Sequence, residues 1–262
     1  MSESNERPPI FVHLLPSLIP PGVLRGGVAV VVDVLRASTV MVQALASGCS
    51  GVIPCAEVEE AIRVRDALPA GTALLTGERL GLPIEGFDFG NSPSSFTPET
   101  CQGKTLVMTT TNGTRAILAS LEADAVFIAA FSNLLETSAR LRELPAEIHI
   151  ICSGTNGLIS FEDAILAGAL ACDIQISRRI GQPNRDYGND EAEIAARLWA
   201  TVPLGEDHLD QDDLAAVLGQ GRGGKRVREI GLADDIRDAA RVDRFPLLAA
   251  LQRDPLKVVR FA

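Results

Sequence analysis

The chain has 262 residues, 46% of them hydrophobic and 22% charged, which suits a packed core and excludes a disordered chain. Lys plus Arg number 24 against 34 Asp plus Glu, and a net charge of −10 argues against a nucleic-acid partner. No apolar run reaches the roughly 20 residues of a membrane span, MSESNERPPI lacks a signal-peptide pattern, and five scattered cysteines form no CxxC pair, so a cytoplasmic protein with reduced thiols is expected.

In chain order, short apolar runs alternate with helical patterns. Residues 27–33 (GVAVVVD) read as a strand buried on both faces. Ser38 suits the N-cap of a helix through residue 47. A short strand at 51–55, an amphipathic helix at 58–68 and a strand at 72–76 follow. Residues 77–101 lose all periodicity, and a loop of that length is usually functional or disordered. Order returns with a strand at 104–110, a helix at 114–121, a strand at 125–130, a helix at 133–143 and a strand at 147–152. Residues 161–180 read as an apolar helix, suited to a core or to an interface in a homo-oligomer. From residue 182 onward the pattern is helical, broken at Gly219–Gly224, which reads as a flexible surface loop. Residues 256–261 suit a last strand. The alternation predicts an α/β fold, three-layer α/β/α with a largely parallel sheet. It forms one unit over 1–262, with room for two α/β subdomains divided near 120–145. Right-handed crossovers would put every strand's C-terminal end on one edge.

Three strands end there in polar clusters: 33–39 (DVLRAST), 109–115 (TTTNGTR) and 153–157 (SGTNG). Two lead directly into helices, whose first N–H groups, with hydroxyls and an arginine nearby, favour anions. Capping accounts for Ser38, Thr114 and Ser160 singly, and Asn112–Gly113 is an ordinary turn dipeptide. Capping does not account for three consecutive threonines, or for Arg36 and Arg115 just past buried strands. Asp33, ending an apolar strand, needs a partner: Arg36, or a Mg²⁺ ion. Ser160-x-x-Asp163 matches a capping box, whereas Glu162 beside it is not needed by the cap. Glu78, Glu85 and Asp88 stand on the long loop near Asn91 and Ser92, where solvated acidic side chains are the ordinary case. Asp234 and Asp235 suit the start of a helix.

Other phosphate chemistries fail on their own terms. Gly219–Gly224–Lys225 has P-loop spacing, but Arg226 replaces the Ser or Thr and no strand precedes it. Cys172 and Arg178 have phosphatase spacing without a glycine cradle between them. His13, His149 and His208 are isolated, and His149 reads as structural.

DVLRAST at 33–39, GER at 77–79, EGFDFGNSP at 85–93, TTNGTRA at 110–116 and SFEDAILAG at 160–168 together resemble the 2-phosphosulfolactate phosphatase family, in order and over nearly the whole chain. The resemblance implies a Mg²⁺-dependent phosphatase with the family's own α/β fold. It implies hydrolysis of (R)-2-phospho-3-sulfolactate to 3-sulfolactate and phosphate, a step of coenzyme M biosynthesis in methanogens. On this reading Asp33, Glu162 and Asp163 hold the metal. Asp33, Arg36, Asn112 and Arg115 carry catalysis. Ser38, Thr39, Asn91, Ser92, Thr110, Thr111, Gly113, Thr114, Ser153 and Gly154 contact a small anionic phosphoester. Another 2-phospho acid as substrate, or a non-catalytic sensor of phosphorylated metabolites, stays open.

Overall fold

The computed structural model describes residues 8–178, 187–203 and 210–261. β1 (Ile10–His13) precedes β2 (Val28–Val32), whose five residues are all buried. Next come α1 (Ala37–Ala46), β3 (Gly51–Pro54), α2 (Val58–Ala67) and β4 (Ala73–Arg79). β5 (Leu82–Pro83) and α3 (Pro98–Cys101) lie in the stretch expected to be a loop. β6 (Thr105–Thr109), α4 (Gly113–Ala119), β7 (Ala125–Ala129), α5 (Leu134–Glu143), β8 (Ile148–Cys152) and α6 (Phe161–Arg178) follow the sequence pattern closely. The rest of the chain supplies α7 (Asp190–Trp199), α8 (Gln211–Leu218), α9 (Arg222–Glu229), α10 (Asp234–Ala239), β9 (Leu248–Arg253) and β10 (Leu256–Phe261). Residues 179–180 of the expected apolar helix, and 182–186 and 204–209 of the expected helical region, lie outside the described residues.

The ten strands form one sheet in the order β1-β8-β2-β7-β9-β10-β3-β6-β4-β5. β1, β8, β2 and β7 are mutually parallel, as are β3, β6 and β4. Between these blocks the pairs β7–β9, β9–β10 and β10–β3 are antiparallel. The two blocks therefore run in opposite senses, and the strand C-terminal ends do not share one edge as simple alternation would have it.

They nevertheless converge, and strands of both blocks pack on α1. Ala29, Val31 and Ile128 of the first block and Val52, Leu106 and Met108 of the second bury their side chains in one cluster with Val40, Met41 and Leu45 of α1. Twist of about 20–25° per strand pair accumulates across the thin junction, where β10 meets β3 through the single pair Val258–Val52. The opposite face of the first block packs under α5, α6 and α7, and that of the second under α2. This is the expected three-layer α/β/α arrangement, mostly parallel, with ten α-helices among the described residues.

Two further differences have physical reasons. LAALQR at 248–253 is made of good helix formers, yet it pairs at all six positions with β10. Tertiary pairing overrides intrinsic propensity here. Gly219–Gly224 is no surface loop: Gly223 and Gly224 are buried within α9. His149 is structural as expected, with its Nδ1 3.2 Å from Nε2 of buried His13. Burial holds both imidazoles down at about 4.

Candidate active site

A cavity of about 700 Å³ opens where the ends of β2, β6 and β8 meet the β4–β5 turn and α9. Asp33 and Arg36 come from the first strand end, Thr110 to Asn112 from the second, Thr155 and Asn156 from the third. These are the three polar clusters marked by the sequence, and the fold brings them together. The second and third clusters touch directly: the Asn156 N–H donates to Asn112 Oδ1 at 3.0 Å.

Asp33 and Glu78 both face the cavity but are held differently. Glu78 accepts from the Gly81 N–H at 2.6 Å and from the Thr111 N–H at 2.7 Å, one bond to each oxygen. It ties the β4–β5 turn to the end of β6. Asp33 Oδ1 accepts from the Ala37 N–H at 3.0 Å. Burial pushes the Asp33 carboxyl up to about 7, the Ala37 bond pulls it back, and Glu78 and Glu162 add to the rise. Asp33 is thus a buried carboxyl crowded by other carboxyls, the setting in which a cation or a proton is most strongly taken up.

Arg36 donates to Asp235 Oδ2 and to the Gly81 carbonyl, each at 2.7 Å. Both members of the ion pair are almost wholly enclosed, at 3% side-chain exposure each. Ser92 donates to the other Asp235 oxygen. Asp235, expected only to begin a helix, therefore orients both an expected catalytic arginine and an expected binding serine.

Some of the expected binding groups instead build the walls. Ser38 donates to the Asp33 carbonyl and Thr39 to the Val34 carbonyl, each at 2.8 Å, so both fasten α1 to β2. Ser38 stands inside α1 and is not its N-cap. Thr110 and Thr114 bond reciprocally across the first turn of α4. Thr111 Oγ1 and Asn91 Oδ1 are buried without partners among the described residues, and both residues line the cavity. Ser153 is buried outside the lining, and Gly154 gives its N–H to Asp163.

Arg115 stands apart from the other expected site residues. It is exposed and lies outside the cavity lining, because Thr114, Ala116 and Ile117 take the buried face of α4. Besides Arg36, the cavity's cations come from α9: Arg222, Lys225 and Arg226. No motif marks them, since the glycine-rich sequence of that helix reads as a loop. The glycines have a packing reason. A Cβ on Gly221 or Gly223 would collide with a Glu162 carboxylate oxygen. Glu162 thus sits under the start of α9, where helix N–H groups favour negative charge. Burial raises its carboxyl above the usual range, while the Gly223 N–H and Ser160 act to lower it.

Asp163, unlike Glu162, whose two carboxylate oxygens are buried without a hydrogen-bond partner among the described residues, is engaged by backbone. Its oxygens accept from the Val34 N–H at 2.8 Å and the Gly154 N–H at 3.0 Å, tying the ends of β2 and β8 together. Ser160 caps α6 by accepting from the Asp163 N–H at 3.2 Å, but the Asp163 side chain does not complete the box. Asp33, Glu162 and Asp163 do not stand together as a metal cage, and among the described residues no trio of Asp, Glu, His or Cys does. Mg²⁺ commonly takes only one or two carboxylates, the rest of its shell being water and substrate phosphate. The crowded Asp33 carboxyl and the unpartnered Asn91 amide oxygen are hard oxygen donors of that kind, so the cavity fits Mg²⁺.

Gly113 is where the residues following β6 press against those following β2. A Cβ there would lie 2.5 Å from Ala37 Cβ and 2.7 Å from Asp33 Oδ2. We expect Gly113→Ala to lower stability by about 1–3 kcal/mol, the usual range for overpacking. It should also cut activity, because Asp33 must move. Urea midpoints and turnover of the same preparation check this; unchanged turnover would show that Asp33 tolerates displacement.

Comparison with known proteins gives a consistent picture. The sequence model of the 2-phosphosulpholactate phosphatase family matches residues 13–254. A probable 2-phosphosulfolactate phosphatase of Clostridium novyi (strain NT) is 46% identical over 215 residues, 81% of this chain and 84% of the relative. Proteins of the same description from Caldanaerobacter subterraneus subsp. tengcongensis and Cyanothece sp. (strain PCC 7425) are 34% and 33% identical. Those alignments cover 85% and 93% of this chain, and 87% and 96% of the relatives.

Proposed function

The chain belongs to the 2-phosphosulfolactate phosphatase family and is by that membership a phosphoric monoester hydrolase; from that premise we propose that it hydrolyses (R)-2-phospho-3-sulfolactate to 3-sulfolactate and phosphate with Mg²⁺. The observation that carries the reading is Asp33. It is a buried carboxyl whose ionised form is disfavoured by its surroundings, on the wall of a cavity that also holds free hydrogen-bonding groups.

Asp33, with the Asn91 amide oxygen, would hold the metal. Mg²⁺ supplies charge neutralisation at the phosphoryl oxygens. Thr111 Oγ1 can donate to a phosphoryl oxygen, and the Asn112 amide group lies beside it on the wall. Glu78, fixed by two backbone N–H groups, keeps Thr111 in place. Arg36, fixed by Asp235 and the Gly81 carbonyl, brings positive charge to the same wall. These groups are set before substrate arrives, which lowers the reorganisation cost of reaching an in-line geometry. Water is the proposed nucleophile, since Asp33 lacks the second aspartate of an aspartyl-phosphate motif. A single turnover quenched in acid should leave no phosphate bound to the protein; a hydroxylamine-labile phosphate on Asp33 would overturn the water route.

The primary test is phosphate release from 2-phospho-3-sulfolactate, phospholactate and phosphoglycolate, with Mg²⁺ and with EDTA. We expect release to be strongest with the sulfonate and to fall at least a hundredfold in EDTA, returning on addition of Mg²⁺. Equal rates with and without EDTA would remove the metal from the proposal. No release from any of the three, by folded protein in Mg²⁺, would remove the activity.

A further inference from the structure

α9 carries four basic residues in eight positions, in a protein of net charge −10. Two of them are engaged. Arg228 donates to the Gly219 carbonyl at 2.8 Å. Arg226 donates to the Leu80 carbonyl and stands 3.6 Å from Glu229. Arg222 and Lys225 make no ion pair or side-chain hydrogen bond among the described residues, and both line the cavity. Their i,i+3 spacing puts them on one face of the helix. The opposite side of the helix start packs against Glu162 beneath Gly221 and Gly223. Arg226, through Leu80, joins α9 to the β4–β5 turn, whose next residue Gly81 is bonded to Glu78 and Arg36. The helix is thereby tied to the wall that carries Asp33, while its two free cations remain open to a ligand.

The same cavity holds unpartnered Thr111 Oγ1 and Asn91 Oδ1, which point independently to a bound polar molecule. Those atoms and Asp33 belong to the strand-end wall and the long loop, and serve a phosphoryl group. Arg222 and Lys225 belong to a separate wall. We infer that Arg222 and Lys225 form a second anion-binding pole, which holds the acidic groups of the substrate other than its phosphate and so selects phosphoesters of small, multiply acidic molecules. The inference rests on the phosphatase reading above. Arg supplies a bidentate fork suited to a carboxylate or sulfonate, and Lys a point charge beside it.

The test separates the two poles by using ligands that carry one each. Binding of 3-sulfolactate, which has no phosphate, and of inorganic phosphate, which has nothing else, is measured by calorimetry. The proteins are the wild type, the double variant Arg222→Met/Lys225→Met and the charge-keeping variant Arg222→Lys/Lys225→Arg. Both positions are exposed, so folding is not at stake. The expected result is at least a tenfold weakening of 3-sulfolactate in the Met variant, in line with loss of charge-assisted hydrogen bonds. Phosphate affinity should move much less, and the charge-keeping variant should retain most of the 3-sulfolactate affinity. An equal loss for both ligands would place the two cations on the phosphate and overturn the inference, as would no loss for either. Wild-type protein that releases phosphate from esters yet fails to bind 3-sulfolactate would overturn the second pole alone. Absence of phosphate release from every ester would overturn the phosphatase reading itself.

Discussion

Asp33→Asn should abolish turnover, by about a thousandfold or more, while making the metal-free protein more stable at neutral pH. The activity loss follows from its place: Glu78, the other carboxylate on that wall, has both oxygens bonded to backbone N–H groups, whereas Asp33 keeps one oxygen without such a bond. Removing a group that stabilises transferred charge in an enclosed site costs roughly 10²–10³ in rate, and more when a metal leaves with it. Asn retains the oxygen that accepts from the Ala37 N–H, so the end of β2 keeps its shape.

The gain in stability follows from the pH linkage. The Asp33 carboxyl stands at about 7 in the folded protein against an ordinary 3.8. Below about pH 4 it is protonated in both folded and unfolded chains and has no effect on their balance. As the pH rises from about 4 to 7 the unfolded chain ionises first, so the folded protein loses stability across that window. The asparagine variant has no such slope. In EDTA its advantage over the wild type should be near zero at about pH 4 and on the order of 4 kcal/mol at about pH 7, because each pH step of one across the window costs the wild type roughly 1.4 kcal/mol. Paired urea titrations at the two pH values measure it. A difference that does not grow with pH would mean that Asp33 is ionised throughout, and would undercut its role as an uncompensated charge awaiting a cation.

Arg36→Met should be among the most destabilising single changes in the molecule. It leaves Asp235 buried with its charge unmatched, a situation that costs about 3–5 kcal/mol. For a chain of this size the melting temperature would fall by roughly 10 °C. Asp235→Leu should cost a similar amount for the converse reason. The double variant Arg36→Met/Asp235→Leu should recover most of the loss, because apolar pairs often replace buried ion pairs without penalty. Activity should not recover with it, since the arginine also lines the cavity. Recovery of both would show that Arg36 is only a strut. Additive losses in the double variant would show that the two residues do not depend on each other.

What could be read from the chain was local. The ends of β2, β6 and β8 announced themselves because an apolar run turns polar within a few residues, and each cluster indeed reaches the cavity. Arg115 shares that segment, but the burial phase of α4, with Thr114, Ala116 and Ile117 inward, turns it out. Asp235 could not be matched to Arg36, because 199 residues separate them and nothing local marks an acidic residue near a helix start as buried. α9 was hidden for a related reason. Glycine in a helix normally signals weakness, and only the tertiary approach of Glu162 explains Gly221 and Gly223. β9 was hidden because its partners, β7 and β10, decide its conformation. The sense of the two strand blocks depended on that same hairpin.

The hairpin β9–β10 also bears on how the molecule is made. It joins the two blocks at the middle of the sheet, yet it is the last pair of strands in chain order. On the ribosome, both blocks emerge before the strands that connect them exist. Until then β7 and β3 present open edges, which can pair with other chains. Closure also requires contacts between residues far apart in sequence, as in Val258 with Val52, and such contacts form slowly. The newborn chain therefore passes through a stage in which its central seam is open, and that stage ends only after β10 has left the exit tunnel.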